Sequence, residues 1–409
     1  MTQRPEAPAP LRRRGPRPLL LHLTLAMPPL STSAAGSPNS SSGWPSWSAS
    51  DWANWSADAG AAQASATEPG GAPFLEALRR HHAFIAGVAA YRRHPWRREL
   101  PDPPAVWQEG GSRLLDYGDG GNGTPVVFVP SLVNRAYVLD LAPGHSMLRW
   151  LAAHDMRPLL LDWGWPGEIE RRFTLTDYVA GRLERALVAA TQLAGGAVAV
   201  AGYCMGGTLA VAAAARRPDL VRALALLAAP WDFHADAPGR PVQVARLAAG
   251  LEALMAASGT LPIDAIQTMF ALLDPDGIAD KYRAFARLDP DGPRARLFVA
   301  LEDWLNDGVP LAASVAREVL GGWYGGNAPA RGEWRIAGLP VDPSALAVPA
   351  FVSVPGRDRI VPPGAARPLA ALIRGAVLHE PAAGHIGMAA GSGAERALWQ
   401  PLRDWLMSH

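Results

Sequence analysis

The 409-residue chain contains one cysteine, Cys204, and one lysine, Lys281. A single cysteine excludes an internal disulfide and any Cys-rich zinc or iron–sulfur centre. It leaves Cys204 as a packing residue, a reactive thiol or an intermolecular bridge. A lysine Schiff base would have one candidate. The chain also lacks an excess of either charge: 38 basic residues face 37 acidic ones, for a net +1. That balance speaks against a dedicated nucleic-acid binder, which carries a clear basic excess. No run approaches the roughly 20 apolar residues that span a bilayer. What the chain does have is apolar mass. Its 49% hydrophobic and 18% charged residues fit a globular protein with a sizeable core.

Residues 1–72 are rich in Pro, Ser, Ala and Gly, show no sustained period, and read as a disordered tail. Within them Arg12-Arg13-Arg14, the apolar run Leu19 to Met27 and Ser31 to Ala35 resemble a secretory signal peptide. The competing readings are a basic tail, or an upstream extension with translation starting at Met27. Trp44, Trp47, Trp52 and Trp55 stand among Ser and Asp, either as a compositional accident or as a docking segment. Asn39-Ser40-Ser41 and Asn54-Trp55-Ser56 fit the glycosylation pattern, which has meaning only in a secretory context.

The spacing of Phe74, Leu75, Leu78, Phe84, Ile85 and Val88 predicts an amphipathic helix to Tyr91. The basic stretch Arg92 to Arg98 follows, read as a solvated surface or an anion site for a coenzyme phosphate. Short apolar runs then recur at 125–130, 158–163, 197–203, 223–230, 350–355 and 376–381, with helical stretches such as 176–193 and 207–217 between them. Continuous apolar strands alternating with helices predict an α/β fold with a mostly parallel sheet covered by helices. The gap between the runs ending at Pro230 and starting at Ala350 is far longer than a crossover. It predicts an inserted helical cap between the sixth and seventh strands. The expected division is a tail (1–72), the first part of the core (73–230), the cap (231–349) and the second part of the core (350–409).

The strongest local signal is Gly202-Tyr203-Cys204-Met205-Gly206-Gly207, between an apolar strand and a small-residue helix. It matches the G-x-nucleophile-x-G elbow of α/β-hydrolases with Cys in place of Ser. The turn demands small neighbours, and the helix that follows aims its N-terminal dipole at Cys204, a setting that favours thiolate. Such a nucleophile needs a base and an orienting acid, which in this fold follow in the order acid, then His. Asp358 lies just after the run AFVSVP and His385 just after AVLHEP, both at the C-terminal edge of a parallel sheet. An oxyanion hole is expected from the backbone of Met205 and of Val133 or Leu132 in the loop after PVVFVP.

Together these pieces resemble the polyhydroxyalkanoate synthase family. They are Pro130-Ser-Leu-Val-Asn-Arg-Ala-Tyr-Val-Leu-Asp-Leu141, Leu161-Asp-Trp-Gly-Trp-Pro166, Thr174-Leu-Thr-Asp-Tyr-Val179, Gly202 to Leu209, Trp304-Leu-Asn-Asp307, Asp358-Arg-Ile-Val-Pro362 and Gly384-His-Ile386. The likeness spans roughly 75–409. It implies an α/β-hydrolase fold and an acyltransferase that polymerises (R)-3-hydroxyacyl-CoA through acylated Cys204. His385 would be its base, and Asp358 would assist His385 or activate the incoming 3-hydroxyl. Trp304 and Asp307 would stand near the substrate entrance. The CoA thioester would be a substrate, with no cofactor and no metal. The implied partners are the polyester granule surface, a second synthase subunit and a second copy of the chain, in the cytoplasm or at the granule, with no nucleic acid. The chain departs from the family at Arg359, where His is common, and at LDWGWP, which replaces S-W-x-N-P. The competing functions are a thioesterase or intracellular depolymerase on the same fold, and a non-catalytic granule scaffold.

Overall fold

The structure, a computed structural model, describes residues 13–26, 72–118, 123–235, 239–273 and 277–409. Its frame is one eight-stranded sheet. The strands are β1 (Ala105–Glu109), β2 (Ser112–Asp116), β3 (Thr124–Val129), β4 (Met156–Asp162), β5 (Val198–Tyr203), β6 (Val221–Leu227), β7 (Ala350–Ser353) and β8 (Val377–His379). Their order in the sheet is β1-β2-β4-β3-β5-β6-β7-β8. From β4 to β8 every pair is parallel, with β5 between β3 and β6. β1 and β2 are an antiparallel edge paired to β4. This hairpin is absent from the sequence reading, although its signal is present: Gly110-Gly111 between two short runs, with Gly110 at φ 55°.

The central strands are continuous apolar runs because both faces are covered. Val127 and Val129 of β3 face one core, whereas Val126 and Phe128 face the other, following the two-residue period of a strand. α1 (Leu19–Leu25) and α2 (Ala72–Arg93) precede the sheet. α3 (Glu184–Ala194) and α4 (Met205–Arg216) cover the first face, burying Ala186, Leu187, Leu209 and Val211. Between β6 and β7 run α5 (Arg240–Ser258), α6 (Ile263–Ala271), α7 (Gly277–Phe285) and α8 (Pro293–Asn306). α9 (Pro363–Leu372), α10 (His385–Ala390) and α11 (Gln400–Met407) complete the chain. Among the described residues no helix is long and apolar enough to cross a membrane.

Two expectations change. Residues 13–26 lie inside the segment read as disordered, yet they form α1 and dock on the fold. Leu19, Leu23 and Ala26 pack against the cluster of Phe84, Val88 and Tyr91. Arg13 pairs with Asp303 at 2.7 Å. Composition hid this because one arginine and two leucines decide it. Part of the stretch Arg92 to Arg98, read as solvated surface or anion site, is likewise engaged within the chain. Arg92 donates to the carbonyls of Gly15 and Arg14 at 2.9 and 3.0 Å. Arg98 donates to Asp140 at 2.8 Å. The tryptophans at 44, 47, 52 and 55 and both glycosylation-type triplets lie outside the described residues.

Candidate active site

Cys204 occupies the corner between β5 and α4. Its backbone sits at φ 56°, ψ −132°, a rarely populated conformation that costs roughly 1–3 kcal/mol. The flanking glycines make the corner sterically feasible. A Cβ on Gly202 would lie 2.4 Å from the Cα of Gly207, and one on Gly206 would lie 2.1 Å from the carbonyl oxygen of Val129. The Cys204 N–H donates to the Leu227 carbonyl at 2.8 Å, which fixes the corner to β6.

His385 opens α10 after β8, and Asp358 sits in the loop after β7. The structure brings both to Cys204. Nδ1 of His385 lies 2.6 Å from Oδ2 of Asp358. A carboxylate only accepts, so Nδ1 carries the proton. Oδ1 of Asp358 accepts the N–H groups of Ile360 and Val361 at 2.9 and 2.8 Å, which orients the carboxylate. Both side chains are buried, and the imidazole also hydrogen-bonds to the Cys204 sulfur. Burial pulls the His385 pKa down. The Asp358 carboxylate and the charge of Cys204, with their hydrogen bonds, outweigh it and push the pKa up to about 10. The geometry therefore places a proton-holding imidazole directly against the Cys204 sulfur, the contact a base needs to serve a nucleophile.

The residues expected to complete the site are placed unevenly. Met205 lines the cavity and starts α4, where a first-turn N–H has no intrahelical acceptor. Val133 also lines it, but its N–H donates to Ser131 Oγ at 3.1 Å. An oxyanion would have to replace that hydroxyl. Leu132 is turned into the core beside Val129. Trp304 forms part of the wall, with Nε1–H donating to the Arg135 carbonyl at 2.8 Å. Asp307 does not line the cavity. Its carboxylate accepts the Tyr137 hydroxyl at 3.3 Å, and burial pushes its pKa up.

Cys204 and His385 open into a cavity of about 920 Å³. Its walls come from the sheet's C-terminal edge and from α5, α6 and residues 311–324. The walls include Phe233, Leu247, Phe270, Leu320, Trp323 and Tyr324. Sequence reasoning did not find these residues, because an apolar side chain facing a cavity looks like one facing a core. Tyr203 was also missed. Its hydroxyl donates to the His385 carbonyl at 3.2 Å, and its ring lies 5.0 Å from the imidazole. An aromatic hydroxyl in a wholly buried strand was the available signal. Among the described residues no three His, Cys, Asp or Glu side chains gather as a metal ion needs.

The alpha/beta hydrolase fold family matches residues 124–391. The chain is 31% identical over 308 residues to the Poly(3-hydroxyalkanoate) polymerase subunit PhaC of Haloferax mediterranei, covering 73% of this chain and 62% of that protein. It is 28% identical to the Haloarcula marismortui protein of the same name, covering 73% and 66%. It is 27% identical to that of Allochromatium vinosum, covering 69% and 80%. The chain thus spans less than two thirds of the length of the two halophile relatives.

Proposed function

The chain belongs to the alpha/beta hydrolase fold family, and we propose that within it this protein is an acyltransferase that polymerises (R)-3-hydroxyacyl-CoA and releases CoA. The observation that carries the reading is the Cys204–His385–Asp358 relay opening onto a large apolar cavity. The Cys204 thiolate attacks the thioester carbonyl, and the oxyanion is met by the Met205 N–H and by the Val133 N–H once Ser131 yields it. The carbonyl reforms, the C–S bond to CoA breaks, and the departing thiolate takes the proton held by His385. The acyl group is now a thioester of Cys204, so the exchange is nearly balanced and the group stays activated. A 3-hydroxyl from another unit or a chain end then attacks. His385 takes its proton, an ester forms, and the Cys204 thiolate leaves. Asp358 holds the imidazole throughout.

The same relay would hydrolyse the acyl-enzyme if water reached it, so dry walls decide the outcome. The apolar lining favours transfer to a hydroxyl. On this reading CoA thioester is a substrate and no cofactor takes part. The protein works in the cytoplasm at a polyester granule surface, as a homodimer that takes a second synthase subunit. The test supplies (R)-3-hydroxybutyryl-CoA, with and without a candidate second subunit, and follows thiol release and product together. Polymer is expected. Monomeric acid without polymer would replace this reading by a thioesterase or depolymerase, and polymer formation unchanged by Cys204→Ala would point to a scaffold.

A further inference from the structure

The cavity is apolar except at a few points, and its formal charges have one sign. Among the described residues, the charged side chains that line it apart from His385 are Arg135 and Arg246, and no described carboxylate lines it. Arg135 comes from the loop after β3, next to the oxyanion segment, whereas Arg246 comes from α5 in the insertion. Arg246 is exposed and Arg135 half-buried, so a ligand can reach both.

Several arginines elsewhere in the fold are held by buried carboxylates. Arg98 and Arg149 share Asp140, Arg157 pairs with Asp116, and Arg182 pairs with Glu170. Arg135 and Arg246 stand in no ion pair among the described residues. Asp307 is near enough to feel Arg135, but it is held by Tyr137 and lies outside the cavity wall. Two guanidinium groups outside any ion pair among the described residues, beside an apolar chamber, complement a ligand with an apolar arm and an anionic head. Guanidinium recognises phosphate through paired, charge-assisted hydrogen bonds.

We infer that Arg135 and Arg246 bind the phosphate groups of the CoA thioester, while the acyl arm lies in the apolar chamber against Cys204. This rests on the acyltransferase reading and adds the site for the leaving group's head. It also moves the coenzyme-phosphate site away from the stretch Arg92 to Arg98, where Arg92 and Arg98 are engaged within the chain. The arrangement gives the two arginines a further effect: once CoA departs, the same phosphates hold the product, so free CoA competes with the next substrate.

The experiment compares two thioesters of one acyl group, the CoA thioester and the N-acetylcysteamine thioester, which has no phosphate. The steady-state constants are measured for wild type, Arg246→Ala, Arg135→Ala and the sign-reversing Arg246→Glu. In each alanine variant the preference in kcat/KM for CoA over N-acetylcysteamine is expected to fall about tenfold. The loss should sit in KM, with a larger loss in Arg246→Glu. Inhibition by free CoA should weaken in parallel. A misfolded loop would lower both thioesters together and leave the ratio intact, which would overturn the site while sparing the acyltransferase reading. Failure of wild type to transfer either acyl group would overturn the function and the site with it.

Discussion

The Tyr203 hydroxyl donates to the backbone carbonyl of His385 at 3.2 Å, so the residue before the nucleophile holds the segment that carries the base. Its ring also lies against the imidazole, at 5.0 Å between centroids and a 38° tilt. Tyr203 is a positioning residue: it acts on the reaction through His385. Tyr203→Phe keeps the ring and removes one hydrogen bond, which is worth about 1 kcal/mol. The expected result is an acylation rate constant down about fivefold to tenfold, with KM near wild type and little change in unfolding free energy. The rate–pH profile should also shift, because a loosened imidazole loses contact with Asp358 and Cys204. An unchanged profile with a lower melting temperature would make Tyr203 a packing residue only.

The relay's charge state can be tested directly. His385 is held up to about 10 by Asp358 and Cys204 against the pull of burial. A histidine raised above its usual value contributes stability that is whole below about pH 6.5 and is lost as pH rises through the folded value. The stability advantage of wild type over His385→Gln should therefore be largest near pH 6 and shrink towards pH 10. Imidazole NMR should show His385 titrating lower in Cys204→Ala, where the thiolate's charge and hydrogen bond are gone. His385→Ala should abolish labelling of Cys204 by an acyl-CoA analogue. Titration of His385 at one pH in both wild type and Cys204→Ala would remove the coupling between the imidazole and the Cys204 sulfur.

The triad was legible in the sequence because each member sits at a punctuated strand end: Gly202 to Gly206 after β5, Asp358 after β7 and His385 after β8. Turn chemistry is local, so a short motif reports it. The α/β alternation was legible for the same reason, since buried parallel strands are unbroken apolar runs. Three features were not legible. In the β1–β2 hairpin β1 is largely exposed, and β2, though mostly buried, is interrupted by Arg113 and Asp116, so neither strand is such a run. The docking of α1 depends on Arg13 meeting Asp303, 290 positions away. The hydrogen bond that occupies the Val133 N–H comes from Ser131, and nothing in a loop sequence distinguishes an available N–H from one already bonded.

That occupied donor gives a further prediction. For Val133 to serve an oxyanion, Ser131 Oγ must move away from it. Ser131→Ala removes the competing acceptor and should raise the acylation rate about twofold to fivefold, since a net hydrogen bond of about 1 kcal/mol no longer has to be exchanged. Single-turnover release of CoA measures it. A drop of about tenfold or more would instead place the Ser131 hydroxyl in contact with the substrate.

The N-terminal strap can be tested through its one strong ion pair. Arg13 is 10% and Asp303 29% exposed at their side chains, and Asp303 also accepts the Tyr91 hydroxyl at 2.8 Å. Burial pushes the Asp303 carboxyl above its usual range, and Arg13 opposes that rise. Arg13→Ala leaves a largely buried carboxylate without its cation. Allowing for partial exposure, the expected cost is about 1–2 kcal/mol in urea unfolding at pH 8. The sign of its pH dependence follows from the same groups. Without Arg13 the folded-state pKa of Asp303 rises further above the unfolded value, so the folded state binds a proton more readily. The deficit of Arg13→Ala should therefore shrink as pH falls from 8 towards 4, and Asp303→Asn placed on Arg13→Ala should recover part of it at pH 8. A deficit that stays constant over this range would mean that Arg13 acts through its bonds to the carbonyls of His94 and Trp96, which do not titrate.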